Sequence, residues 1–373
     1  MKIAIVDTYY PKFLSTYYKK LPGLEQTDYH SQLGSLINGR FGTSDFYSHH
    51  LKELGVNAED LIVNCLPLQR KWATQHSIPF ADFALKVPHR FFRVPLLGSW
   101  LARLPGLVDV AVAQIESIKP DILYCQDLSF FPPEIISKLR TTVRLVVGQI
   151  ACPMPPEHFL KSYDLILTSL PHYVKKFKSM GIESEYFPIG FEPRILKELG
   201  FIERDIDVSF VGGISRYHHE SVPMLEYLAC STPIQFFGYG VENIDKNSPI
   251  HSRHNGEVWG LDMYRTLGKS RITVNRHINI AGEEANNMRL FEATGMGSLL
   301  ITDKKKNLGD LFEVNKEVVA YSCKEEAAEL INHFLKNPEE ADKISKAGQK
   351  KTIEVHGYRQ RMKELVPILV SYI

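Results

Sequence analysis

Asn286-Asn287-Met288-Arg289-Leu290-Phe291-Glu292-Ala293-Thr294-Gly295-Met296-Gly297-Ser298-Leu299-Leu300-Ile301-Thr302-Asp303 decides how this chain reads. It starts as a polar loop, continues as a short helix that leaves through glycines, and ends in a buried strand closed by an acid. The first turn of a helix has free N–H groups and a partial positive charge, which suits phosphate. Glu292, one to two turns in, is placed to accept hydrogen bonds from a sugar hydroxyl. Glu284 stands eight positions before it, an E-x7-E spacing. Together these features predict an enzyme that holds a nucleotide by its diphosphate and ribose.

The same alternation of strand and helix extends in both directions. Upstream, Asp207–Gly213 reads as a strand running into a glycine turn, followed by a helix to Ala229 and a strand over Pro233–Tyr239. Arg271–Asn275 is a further strand. Downstream come a strand at Glu317–Tyr321 and helices at Lys324–Leu335, Pro338–Val355 and Tyr358–Tyr372. The first half follows the same plan, with strands at Ile3–Asp7, Ala58–Asn64, Pro120–Asp127, Val143–Ile150, Asp164–Thr168 and Glu185–Ile189. Between the first two strands lies a long polar and aromatic excursion, up to a cap signal at Thr43-Ser44-Asp45 that opens a helix over Phe46–Leu54. Short apolar strands separated by helices predict parallel sheets with helices on both faces. A punctuated polar stretch at Gly190–Arg204 marks the expected boundary between two domains, as 373 residues require.

Composition narrows the function. A formal net charge of +1 lacks the basic excess of a nucleic-acid binder. The five cysteines are scattered, with no C-x-x-C pair, which fits a reducing compartment. No run reaches the ~20 apolar residues of a membrane span. The expected location is cytoplasmic, with one qualification. Residues 90–104 mix aromatics, leucines and arginines as interfacial helices do, so peripheral contact with a membrane or a lipid-linked acceptor is a further expectation there.

Two common nucleotide sites are excluded. The turn after the first strand, Thr8-Tyr9-Tyr10-Pro11-Lys12, has no glycine, so the G-x-G-x-x-G dinucleotide fingerprint is missing. There is no G-x-x-x-x-G-K-[ST] either. Ligands of open parallel sheets sit beyond the carboxyl ends of the strands. That rule selects Gly212, Gly213 and Arg216 after one strand, the run Asn275-Arg276-His277-Ile278-Asn279 after another, and Asn286, Asn287, Met288, Arg289 and Glu292 at the opening motif. In the first half it selects Cys125-Gln126-Asp127 and Gly148-Gln149-Ile150. His218, His219, His251 and His254 lack metal-ligand spacing, and no metal site is expected.

At these residues the chain resembles the C-terminal half of GT-B glycosyltransferases of the group 1 type, and within them the CgeB-like, spore-maturation-protein-like branch. Further matching pieces are Gly256–Tyr264, which includes Trp259, Leu311-Phe312, Ala347-Gly348-Gln349 and His356–Arg361; a weaker similarity reaches Phe41–Tyr47. The resemblance implies an α/β chain of two Rossmann-like domains with parallel sheets facing a central cleft. Residues 1–195 would bind the acceptor, residues 196–356 the nucleotide-sugar donor, and residues 357–373 would form a helix crossing back to the first domain. By the same resemblance Glu292 contacts the ribose, Glu284 lies near the donor sugar with Glu283 as its rival, and His277 and Asn279 line that sugar. Arg216 and Arg289 are the cations expected at the diphosphate.

The activity so implied is metal-independent transfer of a sugar from a nucleotide-diphosphate donor to a carbohydrate or glycoconjugate hydroxyl, with retention and no cofactor, in surface polysaccharide or glycoconjugate synthesis. An inverting enzyme would instead use Asp45 or Asp127 as general base. Two rival readings are a sugar-nucleotide 2-epimerase of the same architecture and a non-catalytic two-domain small-molecule binding protein.

Overall fold

A computed structural model describes residues 1–81, 106–214 and 221–373. The chain divides into two compact units. Unit 1 comprises Met1–Thr168, His172–Tyr186 and Val366–Ile373, and unit 2 comprises Ser169–Pro171 and Phe187–Leu365.

Unit 1 is built on six parallel strands: β1 (Lys2–Asp7), β2 (Asn57–Ile62), β3 (Ile122–Cys125), β4 (Leu145–Gln149), β5 (Leu165–Thr168) and β6 (Ser184–Tyr186). Their order across the sheet is β2-β1-β3-β4-β5-β6. The middle of β1 and all of β3 and β5 are buried, because helices cover both faces of a parallel sheet and leave no side for polar alternation. Each Val, Leu or Ile sealed there contributes roughly 1.5–3 kcal/mol.

The polar excursion after β1 is helical where the sequence suggested none. Helices span Pro11–Lys20 and Tyr29–Asn38, and another runs over Leu66–Gln75. Their start signals were present: Pro11 at a first helical position, and Asp28, whose carboxylate accepts the Ser31 amide at 3.0 Å. The abundance of tyrosine and polar residues hid the apolar stripe that packs Phe13, Leu14 and Leu36 inward.

Unit 2 holds five parallel strands: β7 (Ile206–Val211), β8 (Ile234–Phe237), β9 (Ser270–Asn275), β10 (Leu299–Asp303) and β11 (Val319–Tyr321), ordered β11-β10-β9-β7-β8. One core cluster joins Val208, Phe210, Ile272, Val274, Leu299 and Ile301 to the helices Val222–Ser231 and Lys324–Lys336. The helix Met288–Gly295 lies between β9 and β10 in the chain. It can approach Phe191 closely because residue 295 is glycine: a Cβ there would lie 2.5 Å from that ring.

The helix Tyr358–Ser371 contains Pro367 and is divided between the units at Leu365. Its start is tied within unit 2, where Phe191 and His356–Tyr358 exchange backbone hydrogen bonds of 2.9 Å. Near its end, the Tyr372 hydroxyl donates to Glu185 of unit 1 at 3.3 Å. Among the described residues no helix is long and apolar enough to cross a membrane. Residues 90–104, where interfacial contact was expected, lie outside the described residues.

Candidate functional site

The carboxyl ends of β9 and β10 carry a connected polar network. Asn287 caps the helix Met288–Gly295, its side-chain oxygen accepting the Leu290 amide at 3.1 Å. The Asn287 side-chain amide donates to Asn275 at 2.9 Å, and Asn275 donates to the Thr302 hydroxyl at 2.9 Å. The backbone oxygen of Asn275 accepts the Tyr321 hydroxyl at 2.8 Å. Asn275 is therefore the hub that fixes the helix start against the strand ends. Beyond their own helix, the amides of Met288 and Arg289 meet no acceptor among the described residues, as the first-turn positions of any helix require.

Next to that hub stands a His–Asp pair. Asp303 Oδ1 accepts both the His277 backbone amide, at 3.0 Å, and its Nδ1, at 2.7 Å. Burial pushes the Asp303 carboxyl up, but the hydrogen bond and charge of His277, with Lys305 at 3.5 Å, outweigh it and hold the group below its usual range. His277 is 3% exposed, and its Nε2 has no hydrogen-bond partner among the described residues. A buried ring nitrogen without a partner, beside a carboxylate-held Nδ1, is a group that a ligand can satisfy.

Glu284 is half-buried, and its carboxylate has no partner among the described residues, whereas the exposed Glu283 pairs with Lys306 at 3.3 Å. Asn286 is half-buried beside it. Glu292 is only 4% exposed. Its carboxylate accepts Arg289 Nη1 at 2.6 Å and the Tyr264 hydroxyl at 3.4 Å. Burial, reinforced by the charge of Glu292, lifts that phenol well above its ordinary value. Arg289 is further held by the Val211 carbonyl at 2.8 Å, which leaves Nη2 uncommitted among the described residues. Half-buried Arg289 and buried Glu292 thus pair inside unit 2, with Arg289 held at the carbonyl that precedes Gly212.

Gly213 has a packing reason. A Cβ on Gly213 would lie 2.5 Å from the Tyr239 ring, and Tyr239 in turn stacks on Trp259 at 5.3 Å and 13°. Trp259 and Tyr239 are half-buried, an aromatic shelf at the end of β8. Arg216 and the histidines 218 and 219 lie outside the described residues. His251 and His254 each place Nε2 against a backbone oxygen, of Asp245 and Gly238 respectively.

In unit 1 the Asp45 carboxylate does not cap its helix; it pairs with Arg40 at 2.7 Å. The neighbouring Thr43 hydroxyl donates to Gln126 at 2.7 Å. Asp127 accepts the Thr8 hydroxyl at 2.9 Å, and Asp7 accepts the Thr8 amide at 2.7 Å. Burial raises the Asp7 carboxyl to about 7, against the lowering by the Thr8 amide and with Asp127 and Asp60 adding to it. Sequence reading passed over Asp7; its signal was its position as the last residue of β1. Further along, His49 and His50 both reach Glu53, at 3.6 and 2.9 Å, a spacing that a cation could share.

Residues 213–367 match the glycosyl transferase-like family. No curated protein matches the sequence. Among solved structures, Anabaena HepE in complex with UDP-glucose superposes with a TM-score of 0.61 at 14% identity, over 100% of both chains. Sucrose-phosphate synthase from Thermosynechococcus elongatus gives 0.58 at 11% identity, covering 100% of this chain and 98% of that one. A glycosyltransferase from Rickettsia africae gives 0.58 at 12% identity with the same coverage. Identities this low speak for the fold, which is GT-B. Over residues 213–367 the sequence adds to that fold its similarity to the glycosyl transferase-like family.

Proposed function

We propose that the protein transfers a sugar from a nucleotide-diphosphate donor to a carbohydrate or glycoconjugate hydroxyl, in the cytoplasm, as a relative of the CgeB-like branch. The observation that carries this reading is the edge of unit 2, where two open helix-start amides, Met288 and Arg289, share one hydrogen-bonded network with the open Nε2 of buried His277. The UDP-glucose and UDP complexes of the Anabaena structure support a sugar-nucleotide donor.

In this reading the amides and Arg289 Nη2 stabilise the charge that develops on the departing diphosphate. Donors preorganised in a water-poor site need no reorganisation at the moment of reaction. Glu292 orients Arg289 and presents its remaining oxygen surface to the ribose. His277, oriented by Asp303, faces the donor sugar, and the uncommitted Glu284 carboxylate lies near the centre that becomes oxocarbenium-like. With these groups the reaction proceeds with retention and without a metal or cofactor, the acceptor hydroxyl attacking from the side the leaving group vacates. Asp7, Asp45 and Asp127 of unit 1 belong to acceptor recognition.

A thermal-shift screen over UDP-, GDP-, ADP-, CMP- and dTDP-sugars tests the donor, followed by product analysis with the stabilising nucleotide. Release of free sugar or transfer to an added saccharide is expected. Interconversion of two sugar nucleotides would replace transfer by epimerisation, and stabilisation by no nucleotide sugar would end the proposal.

A further inference from the structure

Beside the His277–Asp303 pair, unit 2 has a pocket of about 520 Å³ at the carboxyl ends of β9, β10 and β11. Its walls include Met224, Arg276, Asp303, Lys304, Tyr321 and Lys324. Three of these six are cations, contributed by three separate segments that the tertiary fold brings together.

Their partners do not account for them. Arg276 is half-buried, and its Nη1 meets the Met224 sulfur at 3.6 Å, with no carboxylate in ion-pair range among the described residues. A thioether is a weak acceptor, so the guanidinium loses water without regaining a charge partner. Lys304 has its backbone amide anchored to the Tyr321 carbonyl at 2.8 Å, and its ammonium makes no ion pair among the described residues. Lys324 opens the 13-residue helix Lys324–Lys336, where the aligned dipoles favour an anion. Its ammonium lies 5.0 Å over the Tyr227 ring and 3.9 Å from the exposed Glu325. Asp303 is the one acid in the wall, and its charge is already committed to His277 and Lys305. Ser322 gives its amide to Glu326 at 2.7 Å, so the cations rather than that amide would meet a ligand.

We propose that this pocket, which borders the His277–Asp303 pair through Asp303, is an oxyanion site taking a phosphate dianion, free or as the head of a phosphorylated metabolite, between Arg276, Lys304 and Lys324. The planar fork of Arg276 gives paired hydrogen bonds and the two lysines act as movable point charges, a combination that suits a tetrahedral oxyanion. The site does not depend on the identity of the sugar donor.

Calorimetric titration of the full chain with inorganic phosphate, at constant ionic strength in chloride, tests it. Saturable binding is expected. Lys304→Ala combined with Lys324→Ala should weaken it about tenfold or more, the loss expected for two charge-assisted contacts. Lys306→Ala alters another exposed lysine, outside the pocket, and should leave the affinity unchanged. Glucose 6-phosphate separates the sources: equal or tighter binding assigns the site to a phosphorylated metabolite, and weaker binding assigns it to the free ion. No saturable phosphate binding, equal losses in the Lys306 variant, or full affinity in the double variant would each overturn the proposal. So would a double variant that loses its thermal response to nucleotide sugars together with phosphate binding, because the pocket would then be the seat of the donor diphosphate.

Discussion

At the carboxyl ends of their strands the two units carry opposite chemistry on the same plan. Unit 1 gathers acids there: Asp7 at the end of β1, Asp127 after β3, and Asp45 paired to Arg40. Unit 2 gathers helix-start amides, asparagines, a carboxylate-held histidine and the cations of the neighbouring pocket. Both sheets are parallel and buried on both faces. The difference therefore lies in the few residues that follow each strand. One edge is acidic and the other is furnished with groups that attract negative charge.

The contrast can be broken at its strongest contact first. Glu292→Ala leaves Arg289 as an unpaired charge beside the buried Tyr264, so unit 2 should lose about 3–5 kcal/mol of stability. Loss of nucleotide binding alone, with unchanged urea stability, would show that Glu292 serves only the ligand. Glu292→Gln keeps the shape and should recover part of the stability but not the pull on Arg289.

The next tests use opposite pH dependence. Asp7 titrates near 7 in the folded chain, above its ordinary 3.8. The folded state therefore holds this proton more tightly, and stability falls as pH rises from about 4 through 7. Asp7→Asn should remove that slope and stabilise unit 1 at pH 8 by roughly 4 kcal/mol. Hydrogen exchange of unit 1 peptides at pH 5 and 8 checks it; an unchanged slope would place the titration elsewhere.

In unit 2 the sign reverses. Burial lowers His356 to about 4, its Nε2 donating to the Leu311 carbonyl at 2.9 Å while Nδ1 accepts Arg361 at 2.8 Å. The unfolded chain takes up the proton first as pH falls. Stability contributed by the neutral ring is thus complete above about 6.5 and is lost towards pH 4, by roughly 3 kcal/mol. His356→Gln should flatten the dependence between those values in unit 2 peptides. Equal acid sensitivity in both units would erase the contrast.

How much was legible varies along the chain for physical reasons. Strands and most helices after Leu107 show in the sequence within a few residues, because burial on both faces demands continuous apolar runs. The helices over 11–20 and 29–38 were missed because only a few apolar positions, Phe13, Leu14, Tyr29 and Leu36, are buried among many polar and half-buried ones. Asn287 as a cap was legible, since capping is a local rule. The burial of Glu292 was not: its distance from the surface depends on Tyr264, 28 residues earlier. The pairing of His277 with Asp303 spans 26 residues and arises only because β9 and β10 are neighbours in the sheet. Gly213 read as a ligand turn, yet the space beside it is filled by Tyr239.

The chain by itself determined the parallel α/β plan, the helix start at Asn287 and the lack of a glycine fingerprint after β1, since each follows from side-chain pattern and backbone chemistry within a few residues. Tertiary structure alone decided which charges are neutralised and which stay open. Asp303 closes on His277, and Arg276, Lys304 and Lys324 converge from three segments with too few acids among the described residues to match them. Pairing is a matter of distance and desolvation, and neither quantity exists until the strands have taken their order in the sheet.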